Sequence, residues 1–291
     1  LPLIGSKEGI AHFPLAVLNK GDYSLVPDPC YPPYKGGTIF AGGKVMLMPL
    51  LSKNAFLPDL NKIRTTALKR AKIIFVNYPN NPTSAIATDD FYKELIRFAT
   101  VNNLIVISDL AYSEICFDGY RPRSLLEFDG SRDCVIEFHS LSKTYNMTGW
   151  RIGWACGNSK LVDLMAKVKA NIDSGIFQAI QVAGAGALDS DEGHVDSMCA
   201  MYQERRDALA AGLKALGFSF NLPKATFYLW SKIPRRFGGS LEFAKTLLDK
   251  ADIVATPGIG FGKYGEGFIR FALTVPVARI QEAVERLRTR I

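Results

Sequence analysis

Apolar and polar positions in the first half of the chain follow two alternating patterns. The first pattern is a series of short apolar runs of strand length. The second is helical: between two of these runs, residues Asp89 to Asn102 have apolar side chains on one face of a predicted helix, which Thr88 is placed to cap. The predicted strands are Tyr23 to Pro27, Lys44 to Leu50, Lys72 to Asn77, Leu104 to Asp109, Cys134 to His139 and Arg151 to Cys156. This order predicts an α/β fold with a mostly parallel sheet, helices on both faces and ligands at the strand ends.

After about Gly157 the pattern becomes helical, and a smaller α+β region follows. Its predicted elements are a long helix from Ala200 to Leu216, strands at Phe218 to Phe220, Thr226 to Trp230 and Phe268 to Leu273, and helices at Leu241 to Asp249 and from Pro276. We therefore expect a large domain over residues 1–196 and a small C-terminal domain over residues 197–291. A helix over about 197–216 links the two.

Composition narrows the class of protein. The chain is 48% apolar and 22% charged, which excludes a disordered chain, and no apolar run approaches the roughly 20 residues of a membrane span. The five cysteines are odd in number and widely separated, and only three histidines are present, so we expect a reducing cytoplasm and no metal site. The net charge is +7, and the basic residues are scattered along the chain, which favours a small anionic ligand over nucleic acid.

The strongest chemical signal is the block Ser140-Leu141-Ser142-Lys143, followed eight positions later by Arg151. The block begins where a predicted strand ends, so its hydroxyls and amine share one strand end. A phosphorylated aldehyde cofactor needs such a lysine to form a Schiff base, and it needs hydroxyls and a guanidinium to hold its phosphate. By itself the block is weak, because most lysines near loops are solvated surface groups.

Other strand ends point to the same chemistry. Asp109 closes an apolar strand and either caps the next turn or keeps a pyridine nitrogen protonated. Tyr112 and Asn81 are placed to reach the phenolic oxygen of such a ring, although an Asn-Pro sequence is more often simply a turn.

Three further residues are candidates for binding. Ser6 opens a helix whose free N–H groups form an anion site. Tyr31 either stacks on a flat ring or packs in the core. Arg270, in an apolar strand, requires a carboxylate partner from the protein or from a substrate.

In order and spacing these residues resemble the fold-type I, class I and II pyridoxal-phosphate aminotransferases. The resemblance covers essentially the whole chain. The blocks Leu3 to His12, Asn77 to Thr83, Glu137 to Arg151 and Asn171 to Gln181 are similar to those of one group in that family, the bacterial LL-diaminopimelate aminotransferases. The resemblance implies a pyridoxal-phosphate-dependent transferase fold and pyridoxal 5′-phosphate as cofactor.

The resemblance also implies roles for single residues. Lys143 is the Schiff-base lysine, Asp109 pairs with the pyridine nitrogen, and Tyr112 completes the catalytic set. The cofactor is further held by Asn81 at its phenolic oxygen, by Tyr31 on its ring, and by Ser6, Lys7, Ser140, Ser142 and Arg151 at its phosphate. The substrate is contacted by Lys7, Tyr31, Asn81, Gln178 and Arg270, with Arg270 at the α-carboxylate.

The function implied is amino transfer between an amino dicarboxylic acid, first of all LL-2,6-diaminopimelate, and 2-oxoglutarate, as a step of lysine biosynthesis. We expect a cytoplasmic homodimer with the active site at the subunit interface, acting on small amino and keto acids and binding neither nucleic acid nor membrane. The alternatives are an alanine- or aspartate-type aminotransferase or a C–S lyase on the same scaffold, or an inactive truncated fragment.

Three departures from the family pattern bear on this interpretation. Ser84 and Cys30 stand where glycine is usual, and both are tolerable where the backbone avoids positive φ. The chain also opens inside an apolar element, without Met and without a signal peptide, so we expect an amino-terminal segment of the family to be missing before Leu1.

Overall fold

The computed structural model describes residues 1–191 and 193–291, and the first half of the chain builds one seven-stranded sheet. Its strands are β1 (Pro2–Leu3), β2 (Tyr23–Asp28), β3 (Lys44–Pro49), β4 (Ala71–Val76), β5 (Ile105–Asp109), β6 (Val135–Ser140) and β7 (Gly153–Gly157). Their order is β1-β7-β6-β5-β4-β2-β3. The neighbours from β3 to β6 are parallel, whereas β7 pairs antiparallel with both β6 and β1. The predicted α/β fold with a mostly parallel sheet is confirmed.

Helices cover both faces of this sheet. They are α1 (Ser6–Val17), α2 (Pro33–Phe40), α3 (Thr65–Leu68), α4 (Asp89–Val101), α5 (Ser131–Cys134), α6 (Leu141–Thr144), α7 (Ser159–Ile172) and α8 (Gln178–Leu188). Side chains alternate along the strands, so Phe75 and Phe138 pack on the side of α1 and α7, while Val76 and Val106 pack on the side of α4. The Thr88 hydroxyl accepts the N–H of Phe91 and caps α4 as predicted.

The second half of the chain holds a smaller antiparallel sheet. Its elements are α9 (Gly193–Ala215), β8 (Tyr228–Lys232), α10 (Ser240–Ala251), β9 (Thr256–Pro257), β10 (Phe268–Ala272) and α11 (Val277–Arg290), with β10 between β8 and β9. The strand predicted at Phe218 to Phe220 is wrong, because only Phe220 forms an isolated bridge, to Ser231. Among the described residues no helix is long and apolar enough to cross a bilayer.

The core of this second half also takes in residues from the loop that follows β5. Tyr112, Ile115 and Phe117 are buried in the same cluster as Leu213 of α9 and Phe243 of α10. The loop after β5 therefore ties the large sheet to the smaller one. The division into residues 1–196 and 197–291 stays a prediction.

Helix α1 lies very close to strand β6, and Gly9 makes this approach possible. A Cβ at position 9 would overlap the ring of Phe138 and the side chain of Leu3. We expect Gly9→Ala to destabilise the protein by about 1–3 kcal/mol through overpacking. The matched control is Gly36→Ala in α2, where the nearest atom to a new Cβ, on Phe40, is 3.9 Å away; it should stabilise by about 0.5–1 kcal/mol. Urea unfolding measures both values, and equal effects would contradict this packing.

Candidate active site

A cavity of about 140 Å³ brings most of the predicted site residues together. It is lined by Ser6, Lys7, Tyr31, Asn81, Asp109, Ala111, Tyr112, Ser140, Ser142, Lys143, Arg151 and Tyr228. Of the predicted site residues, only Gln178 and Arg270 are missing from this lining. The residues meet because Asp109 ends β5, Ser140 ends β6 and the Asn81 turn follows β4, and parallel strands end at one edge of the sheet.

The carboxyl group of Asp109 is buried at the floor of the cavity. One of its oxygens, Oδ2, accepts the hydroxyl of Tyr34 at 2.7 Å, and its backbone carbonyl accepts the side-chain amide of Asn77 at 2.6 Å. The other oxygen, Oδ1, is buried and has no hydrogen-bond partner among the described residues. Burial raises the pKa of Asp109 to about 6, although the Tyr34 hydroxyl and the nearby Lys143 amine favour the charged form.

Lys143 presents an amine to the same cavity from the short helix α6. The Ser140 hydroxyl accepts the N–H of Ser142 at 3.3 Å and caps this helix. Burial lowers the pKa of Lys143, and the positive charge of Arg151 lowers it further, whereas the Asp109 carboxyl opposes the shift. A larger fraction of this amine is therefore unprotonated at a given pH than for an exposed lysine.

A cluster of donors faces the cavity beside Lys143; we call it the anion corner and define it as Ser6, Ser142 and Arg151. The Arg151 guanidinium donates to the Ser142 hydroxyl at 3.5 Å and to the backbone carbonyl of Ile4 at 3.5 Å. The turn at Gly5 has φ +72°, and a Cβ at Gly5 would overlap that guanidinium. Only glycine allows both the backbone conformation and the close approach.

Arg270 borders the cavity without lining it. Its Nη1 donates to the side-chain oxygen of Asn81 at 2.7 Å, and its guanidinium lies 4.0 Å from the ring centre of Tyr228 and 4.6 Å from that of Phe261. Its Nε is buried and has no partner among the described residues. Arg270 therefore has capacity for a carboxylate. Gln178 begins α8 as an exposed residue, and its predicted contact with substrate stays a prediction.

The backbone at Ser84 does adopt positive φ, so the condition under which serine would be tolerated there without strain is not met. Ser84 has φ +56°, and Thr226, its partner, has φ +68°. The Ser84 hydroxyl lies 2.7 Å from that of Thr226 and donates to the carbonyl of Tyr228 at 2.9 Å. These side-chain bonds hold a backbone conformation that usually needs glycine, and they join the Asn81 turn to β8. Cys30 is not among the residues with positive φ.

Sequence reasoning missed three residues of this site. The Tyr34 hydroxyl donates to the Asp109 carboxylate. The side-chain amide of Asn77 donates to the backbone carbonyl of Asp109, and the side-chain oxygen of Asn77 accepts the N–H of Asn81 at 2.8 Å. The Tyr228 hydroxyl lies 3.3 Å from that of Tyr112. Asn77 ends an apolar strand as Asp109 does, and this signal could have found it. Tyr34 and Tyr228 had no such signal, because their partners are distant in sequence.

Known proteins resemble this chain over almost its whole length. The family profile "Aminotransferase class I and II" matches residues 1–287. An LL-diaminopimelate aminotransferase of Syntrophobacter fumaroxidans is 54% identical over 99% of this chain and 74% of its own, and one of Desulforudis audaxviator is 52% identical over 98% and 73%. The substrate-bound structure of BacF from Bacillus subtilis superimposes with a TM-score of 0.96 at 38% identity, over 99% of this chain and 73% of its own.

The chain belongs to the class I and II aminotransferase family. Enzymes of this family depend on pyridoxal 5′-phosphate, and the cavity residues fit that group. The unpartnered Oδ1 of Asp109 matches a protonated ring nitrogen, and the anion corner matches a phosphate. Lys143 supplies the amine that this cofactor requires.

The buried charge of Asp109 has a consequence for stability. Its folded-state pKa of about 6 lies above the usual 3.8, so the neutral carboxyl contributes stability below about pH 4 that is lost as the pH rises through 6. We expect Asp109→Asn to stabilise the cofactor-free protein by about 2–3 kcal/mol at pH 8 and by much less at pH 4. Chemical unfolding at both pH values measures this difference. The exposed Asp129→Asn serves as control, and a gain independent of pH would contradict the expectation.

Proposed function

We propose that this protein transfers an amino group between LL-2,6-diaminopimelate and 2-oxoglutarate. The proposed substrate rests on sequence identity. The chain is 54% and 52% identical, over nearly its whole length, to two enzymes that bear the name LL-diaminopimelate aminotransferase. The residues of the cavity supply the general chemistry of amino transfer. These residues do not identify the amino donor, which is proposed from the sequence identity alone.

We further propose how the sequence-predicted residues of the cavity hold the cofactor. Asp109 accepts a hydrogen bond from the ring nitrogen through its free oxygen, Tyr31 packs on the ring, and Asn81 and Tyr112 contact the phenolic oxygen. The phosphate is bound by Ser6, Lys7, Ser140, Ser142 and Arg151. The three cationic side chains Lys7, Lys143 and Arg151 outnumber the single carboxylate of Asp109 in this cavity, which suits a dianion.

Lys143 is proposed both to carry the cofactor and to move the proton at the substrate's Cα. When bound, pyridoxal 5′-phosphate supplies an aldehyde that reacts with amines and a ring that accepts the electron pair left at Cα. The lowered pKa of Lys143 favours the neutral amine, which is the form that takes up a proton. Asp109, when ionised, keeps the proton on the ring nitrogen.

Arg270 is proposed to bind the α-carboxylate, which every amino and keto acid substrate shares. Its guanidinium is pre-oriented by the bond to Asn81 and by the faces of Tyr228 and Phe261. A fixed guanidinium offers two parallel N–H groups to a carboxylate. The distal end of the substrate must then be bound away from Arg270. We propose that Lys7 and Gln178 contact it.

We also propose a cytoplasmic homodimer with the active site at the subunit interface and two domains divided near residue 196. Apolar side chains exposed on α8 and at its start support an interface there, namely Phe177, Val182 and Leu188. The five cysteines are dispersed and odd in number, which suits a reducing compartment.

The amino donor is tested by measuring kcat/KM side by side for LL-diaminopimelate, aspartate, alanine and cystathionine, with 2-oxoglutarate as acceptor. We expect LL-diaminopimelate to exceed each other donor by at least about a hundredfold, because a site that hydrogen-bonds the distal groups of one donor rejects donors whose length or distal groups differ. A preference for aspartate or alanine would replace the proposed substrate. Pyruvate released from cystathionine without any acceptor would indicate a C–S lyase.

The proposed role of Lys143 is tested by covalent attachment. Condensation of an amine with pyridoxal 5′-phosphate releases water, and borohydride then reduces the C=N bond. This treatment is expected to add one phosphopyridoxyl group to Lys143 and none after Lys143→Ala, because the variant lacks the reacting amine. Intact mass and peptide mapping read the result. Lys160→Ala, at an exposed position, controls for surface labelling. Undiminished single labelling of the Lys143→Ala protein would remove Lys143 from this role.

A further inference from the structure

A cluster of three charged side chains, two of them buried, lies behind the anion corner. The Lys169 ammonium of α7 donates to both oxygens of Glu8 in α1, at 2.8 and 3.1 Å, and to Asp173 at 2.7 Å. The side chains of Lys169 and Glu8 are only 8% and 6% exposed. None of the three lines the cavity, and the proposed chemistry uses none of them. A buried ion pair seldom stabilises a protein more than apolar packing would, so stability alone does not explain this cluster.

The cluster is connected to the anion corner through one short turn. Glu8 stands at the third position of α1, and its Oε2 accepts the backbone N–H of Ile4. The carbonyl of the same residue, Ile4, accepts the guanidinium of Arg151, and Ser6 lies at the other end of the turn. Contacts therefore run without a gap from Lys169 through Glu8 to the Ile4–Ser6 turn and on to Arg151.

We propose that Lys169 is a positioning residue for the cofactor's phosphate, because it holds Glu8 where Glu8 fixes the Ile4–Ser6 turn against Arg151. This inference rests on the proposed binding of pyridoxal 5′-phosphate. Without Lys169 the Glu8 carboxylate is buried with no cation, and it must turn towards water or take up a proton. In either case the N–H of Ile4 loses its anionic acceptor and the turn is released. Loss of Lys169 therefore weakens binding of the phosphate. It leaves binding of the ring unchanged, because the proposed ring contacts are Asp109 and Tyr31.

The test compares two ligands that differ only in the phosphate. Cofactor-free wild type and Lys169→Met are titrated with pyridoxal 5′-phosphate and with pyridoxal. We expect Lys169→Met to raise the Kd for pyridoxal 5′-phosphate about tenfold and to change the Kd for pyridoxal less than about twofold. Lys35→Met is the matched control, because it removes the cation from another buried carboxylate, Asp28, at 2.9 Å, and neither residue lines the cavity. Both of its Kd values should stay within about twofold of wild type.

A second variant separates positioning from general loss of structure. Glu8→Ala removes the acceptor of the Ile4 N–H but leaves Lys169 paired with Asp173. It should show the same phosphate-selective loss, and the double variant Glu8→Ala/Lys169→Met should be no weaker than either single variant, since both act through one contact. If Lys169→Met does not fold, Glu8→Ala decides alone.

Several outcomes overturn the inference. These are an equal loss for both ligands, no loss for pyridoxal 5′-phosphate, and additive losses in the double variant. Failure of the wild type to bind pyridoxal 5′-phosphate is different, because it contradicts the proposed function.

Discussion

The site depends on keeping one carboxylate charged inside the protein. Asp109 sits at the end of a buried parallel strand, where removal from water favours its neutral form. Tyr34 satisfies one oxygen, Asn77 holds the backbone, and Lys143 provides the positive charge that most lowers the pKa of Asp109. The remaining oxygen is free for a ligand. This arrangement costs stability in the empty protein. The proposed hydrogen bond from a protonated ring nitrogen would recover that cost, so ligand binding and stability would be coupled at Asp109.

The rest of the site is organised around that carboxylate by close backbone approaches. Gly5 lets the turn before α1 lie against Arg151, and Gly9 lets α1 lie against Phe138 of β6. On the other side, the hydroxyls of Ser84 and Thr226 hold left-handed backbone and tie the Asn81 turn to the strand that carries Tyr228. Such local strain persists only where the surrounding contacts determine it, and here those contacts border the cavity.

The charged groups are distributed according to what each must do. Lys143 and Arg270 are desolvated, which lowers the pKa of the amine and leaves the guanidinium with an unsatisfied Nε. Arg151 and Lys7 are exposed and can meet an incoming anion. Lys169 and Glu8 are buried as a pair, and neither of them lines the cavity. Exposed cations attract a ligand from solution, whereas buried groups hold a geometry.

Sequence by itself determined the α/β class, the succession of strands along the chain and the residues at their carboxyl ends, whereas the order of the strands within the sheet came from the structure. Periodicity and capping are local, so the ends of β2 to β7 were found to within two residues. The strand ends predicted Asp109, Asn81 and Lys143 together. The short segment Phe218 to Phe220 was mistaken for a strand because such a segment becomes one only if a partner pairs along it. Only the tertiary structure decided the contacts of Tyr34 with Asp109, Ser84 with Thr226 and Lys169 with Glu8, which are 75, 142 and 161 residues apart. No repeating pattern records such pairs, because they arise from packing between elements and not from the spacing within one.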